Sequence, residues 1–357
     1  MSPSGRCATT ASRCCGRSSA GPRWAEREVH LLDYVTGATG FLGGHLVEAL
    51  VRRGRRVRAL VRPGSPRGEL MRLGVQCVEA PLADANAVEP GLRDVDTVYH
   101  CAAKVDDWGP WQSFHEVNVR GTAALARAAA RAGVRRFVHV STTDVYGHPD
   151  REVDEDAPLR PRGMPYVDTK IQGEEALRRA ADELGLSFTI VRPASIIGPR
   201  SRTFVTGVLE RLRRRALVLV GPPFRPAGFA YVDNVVDALL LAARCERAAG
   251  RAYNVHDDVP ATWRDYCGIL ARSLGCPPPR WAVPRPLAYA AASASELCWR
   301  VLRRPGHPPI TRLAVELVGT TQRFAVERAR QELGLRPAVD FHEAMRRIVS
   351  WAVEARI

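Results

Sequence analysis

A tyrosine and a lysine four positions apart are the residues of this sequence best suited to acid–base chemistry. Tyr166 and Lys170 fall at the start of a predicted helix, where this spacing places both side chains on one face. A free phenol titrates near ~10, and an adjacent ammonium favours the phenolate. The pair therefore suits proton exchange with a hydroxyl or carbonyl group. The alternative is a surface pair with no chemical role.

Two further features support a reactive site around this pair. Lysine is scarce, because Lys104 and Lys170 are the only lysines among 52 basic residues. Lysine offers a compact ammonium, whereas arginine offers a larger planar fork. The hydroxyl-rich segment Ser141-Thr142-Thr143 follows a predicted strand. A hydroxyl there would orient a substrate oxygen and stabilise developing charge, or would only satisfy the turn at the strand end.

A glycine-rich turn lies between the first predicted strand and the first predicted helix. Its spacing is G-x-x-G-x-x-G. Glycines are needed where backbone approaches a pyrophosphate and where helix and strand pack closely, and a helix N-terminus attracts phosphates. A tight structural turn also uses glycines, so the motif gains its weight from its place in the chain. We predict a dinucleotide site formed by Gly37, Thr39, Gly40, Phe41, Leu42 and Gly43.

The end of the second predicted strand bears on the kind of dinucleotide. An acidic residue there would hold a ribose 2′-hydroxyl, whereas arginine accommodates a 2′-phosphate. Arg62, helped by Arg58, therefore favours NADP(H), with NAD(H) as the alternative. With a nicotinamide bound, Tyr166 and Lys170 would exchange a proton with a substrate hydroxyl or carbonyl oxygen. The carbon that bears this oxygen would exchange hydride with the nicotinamide.

Strands alternate with helices over most of the first half of the chain, and this alternation positions the motifs. It predicts an α/β fold, a Rossmann-type doubly wound parallel sheet that binds ligands at the carboxyl ends of its strands. We assign residues 29–198 to a dinucleotide-binding domain, to which residues 229–258 return. Residues 199–228 and 259–357 predict a smaller, mostly helical C-terminal substrate lobe.

Composition excludes several other classes of protein. The 357 residues carry a net charge of +14 and are 46% hydrophobic, an ordinary globular balance. An arginine bias explains the charge, and no basic stripe interleaved with aromatics predicts nucleic-acid binding. Nine scattered cysteines predict neither a disulfide framework nor a metal site and suit a reducing, cytoplasmic setting. Residues 1–28 are interpreted as a disordered extension, with a transit peptide as the alternative.

Taken together, these motifs resemble the extended short-chain dehydrogenase/reductase family, of the NAD-dependent epimerase/dehydratase type. The resemblance implies that Thr142, four residues before the tyrosine of a V-Y-G motif, is the hydroxyl that acts with Tyr166 and Lys170. An acidic residue usually faces adenine where this chain has Pro81-Leu82, although Asp84 lies close in sequence. Besides Tyr166 and Lys170, the resemblance implies cofactor contacts from Leu82, Ala102, Ala103, Asn118 and Pro193.

The resemblance also favours one branch of the family. Dehydratases carry Asp-Glu after the catalytic threonine, where this chain has Thr143-Asp144. Sugar-nucleotide enzymes tend to carry an asparagine shortly after the equivalent of Arg192, where Pro193-Ala194-Ser195 stands. Segments 104–122 and 308–312 resemble the 3β-hydroxysteroid dehydrogenase branch, which includes sterol-4-carboxylate dehydrogenases and bacterial 2-alkyl-3-oxoacid reductases.

The C-terminal lobe supplies apolar residues that suit a hydrophobic substrate. We interpret residues 286–302 as a helix that faces the core and closes over the substrate. Arginines that end this segment favour an alternative, peripheral contact with a membrane surface. The residues concerned are Trp281, Leu287, Tyr289, Trp299, Arg300, Arg303 and Arg304.

These observations predict an NAD(P)(H)-dependent oxidoreductase that interconverts a secondary alcohol and a ketone on a steroid-like or 3-hydroxy/3-oxoacyl substrate. The alternatives are an NDP-sugar 4-epimerase and a non-enzymatic regulator that senses a dinucleotide. The resemblance implies a homodimer formed through the helices that match residues 114–132 and 166–184.

Overall fold

The computed structural model describes residues 31–222 and 224–357, so the predicted extension 1–28 lies outside the described residues. Its centre is a seven-stranded parallel sheet with strand order β10-β6-β5-β4-β1-β2-β3. The sheet runs outward from β1 in both directions, which confirms the predicted Rossmann-type doubly wound fold. The strands of this sheet are β1 Leu32–Thr36, β2 Arg56–Val61, β3 Gln76–Glu79, β4 Val95–His100, β5 Arg136–Val140, β6 Phe188–Pro193 and β10 Ala252–Val255.

Helices and four short strands complete the chain. Strands β7 Ser195–Ile197 and β9 Phe229–Tyr231 pair with each other, as do β8 Leu219–Val220 and β11 Ala282–Val283. The helices are α1 Phe41–Arg52, α2 Gly68–Arg72, α3 Ala85–Val88, α4 Trp111–His115, α5 Thr122–Arg131, α6 Pro165–Leu184, α7 Gly207–Arg213, α8 Val232–Arg244, α9 Trp263–Ser273, α10 Arg285–Val301, α11 Arg312–Gly319, α12 Glu327–Glu332 and α13 Phe341–Glu354. None of these helices is long and apolar enough to cross a membrane.

Both faces of the sheet are covered, because successive strand residues point to opposite sides. Val35 joins a core with α1 and α8, whereas its neighbour Tyr34 joins a core with α5 and α6. Likewise, Val191 joins the core of Val35, and its neighbour Ile190 joins the core of Tyr34. Strands buried on both faces carry continuous apolar runs, which is the pattern that predicted them.

The helix predicted over residues 114–132 is interrupted in the structure. Helix α4 ends at His115, and a π-helical turn spans Glu116–Gly121 before α5 begins. A Cβ atom on Gly121 would lie 2.7 Å from Cδ2 of Leu82, so the missing side chain allows this close approach. Turns of this kind are frequent at functional sites, and this one presents Asn118.

The C-terminal region is mainly helical, as predicted. Its core joins α7, α9 and α13 around Phe229, Trp263 and Tyr266. Helix α10 differs from the expected core-facing helix, since only Ala288, Ala292 and Glu296 are buried. These residues form one narrow strip against α11, so most of α10 faces outward. The division into a dinucleotide-binding domain and a substrate lobe at the stated boundaries stays a prediction.

Candidate active site

The glycine turn brings three backbone segments closer than side chains would allow. A Cβ atom on Gly43 would lie 2.1 Å from the carbonyl oxygen of Gly37. Gly37 has φ +70, and its Cβ would lie 2.7 Å from the amide nitrogen of Ala102. That amide donates to Oγ1 of Thr36 at 3.2 Å, which fastens the loop after β4 to the end of β1. The turn, α1 and this loop therefore meet at the carboxyl edge of the sheet.

The start of α1 offers a place for a phosphate group. Gly40 precedes the helix and no side chain caps its first N–H groups. Thr39 and Gly40, which directly precede these donors, are exposed. Phe41 and Leu42 pack against a cluster that includes Tyr231 and Val232, which fixes the direction of the helix. Uncapped N–H groups at the positive end of a twelve-residue helix, held against a glycine cradle, fit the pyrophosphate of a dinucleotide.

The two arginines of β2 differ in their surroundings. Arg62 follows the strand and is exposed, and its guanidinium makes no ion pair or hydrogen bond with a described residue. Arg58 instead donates to the carbonyl oxygens of Gly91 at 2.6 Å and Arg93 at 2.9 Å. The sequence suggested that Arg58 would help Arg62, but Arg58 is used to hold the loop before β4.

The residues expected around adenine form part of the protein framework. Leu82 packs against Gly121 at the π-helical turn. Asp84, the acidic residue near the usual adenine position, caps α3 by accepting from the amides of Asn86 at 3.0 Å and Ala87 at 3.1 Å. Its carboxylate is thus already committed to the backbone.

Asn118 is a buried clamp beside the loop that follows β4. Its Oδ1 accepts from the amide of Lys104 at 2.7 Å, and its Nδ2 donates to the Lys104 carbonyl at 3.2 Å. Nδ2 also donates to Oγ1 of Thr169 at 3.0 Å. Ala102 and Ala103 lie half-buried in the same loop. Asn118 therefore fixes this loop relative to the turn of α6 that carries Lys170.

Lys170 is buried directly under the carboxyl end of β5. Its Nζ donates to the carbonyl oxygen of Val140 at 2.6 Å. Burial lowers the pKa of Lys170 to about 8, although Glu174 and Cys101 act in the opposite direction. The ammonium form still predominates at neutral pH, and its position is defined by the sheet.

Tyr166 lies one helical turn before Lys170, half-buried at the start of α6. Burial raises its pKa above the usual value, as does the charge of Asp144, while a side-chain hydrogen bond with Thr142 has the opposite effect. This direction is opposite to the one that the Tyr–Lys spacing suggested, because burial and the charge of Asp144 outweigh the hydrogen bond with Thr142. The phenol is therefore protonated at neutral pH and able to donate.

Thr142 shares its hydroxyl with an acidic residue that the sequence analysis did not include in the site. Oγ1 of Thr142 donates to Oδ2 of Asp144 at 2.9 Å and accepts from the Asp144 amide at 3.2 Å. The other carboxylate oxygen of Asp144 lies 3.2 Å from Nε2 of His148. Nδ1 of His148 lies 3.2 Å from Oε1 and 2.9 Å from Nε2 of Gln322. The four-residue spacing of Asp144 and His148 was the only sequence signal for this chain of polar groups.

Residues 34–255 match the model of the NAD dependent epimerase/dehydratase family. The chain belongs to this family. The match covers the glycine turn, Thr142, Tyr166 and Lys170, and it confirms the resemblance drawn from the motifs.

Relatives of this epimerase/dehydratase-family chain are named as reductases and dehydrogenases. It is 34% identical over 323 residues to the 2-alkyl-3-oxoalkanoate reductase of Stenotrophomonas maltophilia (strain K279a), which covers 88% of this chain and 97% of that protein. It is 30% identical over 343 residues to 3beta-hydroxysteroid-dehydrogenase/decarboxylase isoform 1 of Arabidopsis thaliana, covering 88% and 78%. The crystal structure of gox2253 superposes with a TM-score of 0.75 at 26% identity, over 91% and 98% of the chains. The chain is thus an enzyme of an NAD-dependent family.

The segment around Pro193 joins the end of β6 to the helix that carries Tyr166 and Lys170. Pro193 is buried as the last residue of β6 and pairs with Val255 of the edge strand. The preceding Arg192 makes two bonds to the buried carboxylate of Glu174, at 2.9 and 2.6 Å. Because Glu174 lies one turn after Lys170, this ion pair joins α6 to β6.

Proposed function

We propose that the protein is an NAD(P)(H)-dependent oxidoreductase that interconverts a ketone and a secondary alcohol on a hydrophobic 3-oxo or 3-hydroxy substrate. The observation that carries the proposal is the convergence of a protonated Tyr166, Lys170 and Thr142 at the carboxyl end of β5. The glycine turn lies at the same edge of the sheet. Acid–base groups beside a dinucleotide cradle suit carbonyl reduction.

Each of the three side chains has a role in this reaction. A bound nicotinamide supplies the hydride to the carbonyl carbon in reduction and receives it in oxidation. Tyr166 gives its hydroxyl proton to the substrate oxygen, and in the reverse direction takes it back. Lys170, held by the Val140 carbonyl, stabilises the phenolate that remains. Thr142 positions the substrate oxygen with its hydroxyl.

The surroundings of Tyr166 support an apolar substrate. Tyr166 packs at the edge of a cluster that includes Met164, Val167 and Leu313. Ala194 and Tyr289 pack against the same cluster, and Tyr289 belongs to α10. Apolar surroundings of this kind favour a steroid-like or alkyl-substituted 3-oxoacyl substrate over a sugar. The 2-alkyl-3-oxoalkanoate reductase and 3beta-hydroxysteroid-dehydrogenase/decarboxylase among the relatives act on this class by their names.

We expect Tyr166→Phe to abolish most of the activity. Removal of the acid should lower kcat for reduction of a 2-alkyl-3-oxo acid or a 3-oxosteroid by about 10²–10⁴-fold. Tyr34→Phe is the matched control, since the Tyr34 hydroxyl is buried in the sheet with no hydrogen-bond partner among the described residues. Undiminished turnover by Tyr166→Phe would overturn the mechanism.

Stoichiometric NAD retained on purification, with no oxidation of added NADPH, would favour the 4-epimerase alternative. Dinucleotide binding without turnover would favour a regulator.

We further propose NADP(H) as the preferred cofactor, because Arg62 is exposed at the end of β2 without a described partner. Loss of a charge-assisted contact to a 2′-phosphate should weaken NADPH binding by roughly 10- to 100-fold in Arg62→Ala, and leave NADH binding nearly unchanged. Fluorescence titration of both cofactors measures this ratio. An unchanged preference would contradict the assignment, and Arg93→Ala is a control for loss of one surface charge.

A further inference from the structure

Helix α10 carries an apolar stripe on the side opposite its buried strip. The members of the stripe recur every three or four residues, which places them along one face. All of them are exposed, and Leu287, Leu297 and Val301 are 63%, 62% and 70% accessible. The stripe consists of Leu287, Ala290, Ala291, Ala294, Leu297, Cys298 and Val301.

The stripe continues beyond both ends of the helix. Trp281, shortly before α10, is 81% exposed, and Leu302 directly after it is 56% exposed. We call the stripe together with Trp281 and Leu302 the α10 patch. Isolated exposed apolar side chains are ordinary, but a continuous patch of this kind marks a site of contact.

The α10 patch lies between exposed arginines. Arg280 precedes it, and Arg300, Arg303 and Arg304 lie at its far end. Between residues 280 and 304 the only acidic residue is Glu296. Glu296 is buried, and its carboxylate accepts from the amide and the guanidinium of Arg312 and also lies 3.8 Å from Nη2 of Arg300. Arg280, Arg303 and Arg304 make no ion pair with a described residue, so the surroundings of the patch are positive.

Charge decides between two occupants of this face. A two-fold interface would place the same patch against itself. In either relative direction of the two helices, arginines would face arginines without an acidic residue to balance them. An anionic lipid surface instead complements the arginines and accepts apolar side chains at the depth of its headgroups.

We propose that the α10 patch docks the protein on the surface of a membrane that contains anionic lipids. Helix α10 would lie in the plane of the interface, with its apolar stripe inserted and the arginines at the headgroups. On its other side Tyr289 reaches the cluster around Tyr166, so docking brings the substrate side of the enzyme to the bilayer. The inference stands on the exposed surface of α10 and not on the reaction proposed above.

Vesicle flotation of the full chain tests the proposal. The probes are phosphatidylcholine vesicles with and without phosphatidylglycerol. The variant Leu297→Ser with Val301→Ser should reduce binding to anionic vesicles by about tenfold or more. Replacing Arg303 and Arg304 by glutamine should reduce it by about 25-fold, at roughly fivefold for each charge, and added salt should weaken the wild type in the same way.

Matched controls and the oligomeric state complete the test. Val353→Ser removes another exposed apolar side chain, 67% accessible on α13, and should leave vesicle binding unchanged. Arg52→Gln with Arg56→Gln removes two exposed charges at the amino edge of the sheet and should have a much smaller effect than the α10 pair. Absence of binding to anionic vesicles, or binding that the α10 variants do not alter, overturns the proposal. So does a wild-type dimer that the Leu297–Val301 variant converts to a monomer.

Discussion

Tyr166 and Lys170 lie one turn apart on α6. Burial shifts the pKa of each side chain in the direction that favours the neutral form of that side chain. The pKa of Tyr166 is raised and that of Lys170 is lowered to about 8. At neutral pH this leaves a protonated phenol next to an ammonium that the Val140 carbonyl holds in place. The site is therefore prepared to donate a proton, which suits the reductive direction.

We expect the protonation of His148 to depend strongly on the neighbouring carboxylate of Asp144. Burial alone would lower the pKa of His148. The hydrogen bond with Asp144 and the negative charges of Asp144 and Glu316 outweigh burial and raise this pKa above its usual value. A raised pKa stabilises the folded state below the unfolded value near ~6.5 and loses this contribution as pH rises through the folded value. We expect His148→Gln to lower the free energy of unfolding at about pH 5.5 more than at about pH 8.

Urea unfolding of wild type and His148→Gln at both pH values measures this difference. The comparison with wild type is needed because Asp33 and Asp257, whose pKa values burial raises to about 6, titrate over the same range. Their contribution is common to both proteins and cancels. An equal loss of stability at both pH values would show that folding does not shift the pKa of His148, and a smaller loss at about pH 5.5 would show that His148 is neutral in the folded protein.

At the scale of elements, the first βα connection depends on glycine at defined positions. Gly43 on α1 contacts the Gly37 carbonyl, and Gly37 contacts the loop after β4. The helix start can approach the sheet edge only because these side chains are absent. The same approach exposes the first N–H groups of α1 to a ligand.

Gly43→Ala and Gly44→Ala form a matched pair for this connection. The added methyl group would lie 2.1 Å from the Gly37 oxygen in the first variant, but 3.5 Å from the Ala38 oxygen in the second. We expect Gly43→Ala to lose about 1–3 kcal/mol of stability and to bind NADPH at least tenfold more weakly, because the turn must shift. Gly44→Ala should bind NADPH like the wild type. Equal binding by both variants would contradict this account of the turn.

At the scale of the whole molecule, Asn234 joins the return helix α8 to the C-terminal segment. Its Nδ2 donates to Asp257 at 2.9 Å and to the carbonyl of Val339 at 2.8 Å. Its Oδ1 accepts from the amides of Ala338 at 3.0 Å and Val339 at 3.1 Å. One buried side chain therefore connects the end of the sheet with the segment that leads into α13.

Asn234→Leu keeps the size of this side chain and removes all of its hydrogen bonds. We expect the free energy of unfolding in urea to fall by roughly 2–4 kcal/mol, since the buried groups of Asp257, Ala338 and Val339 lose their partner. Amide exchange in α13 should increase as the segment before this helix detaches more easily. Asn86→Leu, at an exposed position, is the control. A change below about 0.5 kcal/mol would show that Asn234 does not hold this segment.

The sequence by itself determined the α/β fold, the glycine turn and the position of Tyr166 and Lys170 one turn apart on α6. These depend on periodicity and on spacings of a few residues, which the backbone geometry of helices and strands converts directly into position. The interruption at Glu116–Gly121 escaped prediction, because a π-helical turn keeps the composition of a helix.

Only the tertiary structure decided which groups meet across long separations and which are buried. Gln322 reaches His148 across 174 residues, Arg58 finds the carbonyls of Gly91 and Arg93, and α10 turns its apolar stripe outward. Burial also raised the pKa of Tyr166, against the direction that its distance from Lys170 suggested. Desolvation and long-range partners depend on how elements pack around a site, and that packing is a property of the folded chain as a whole.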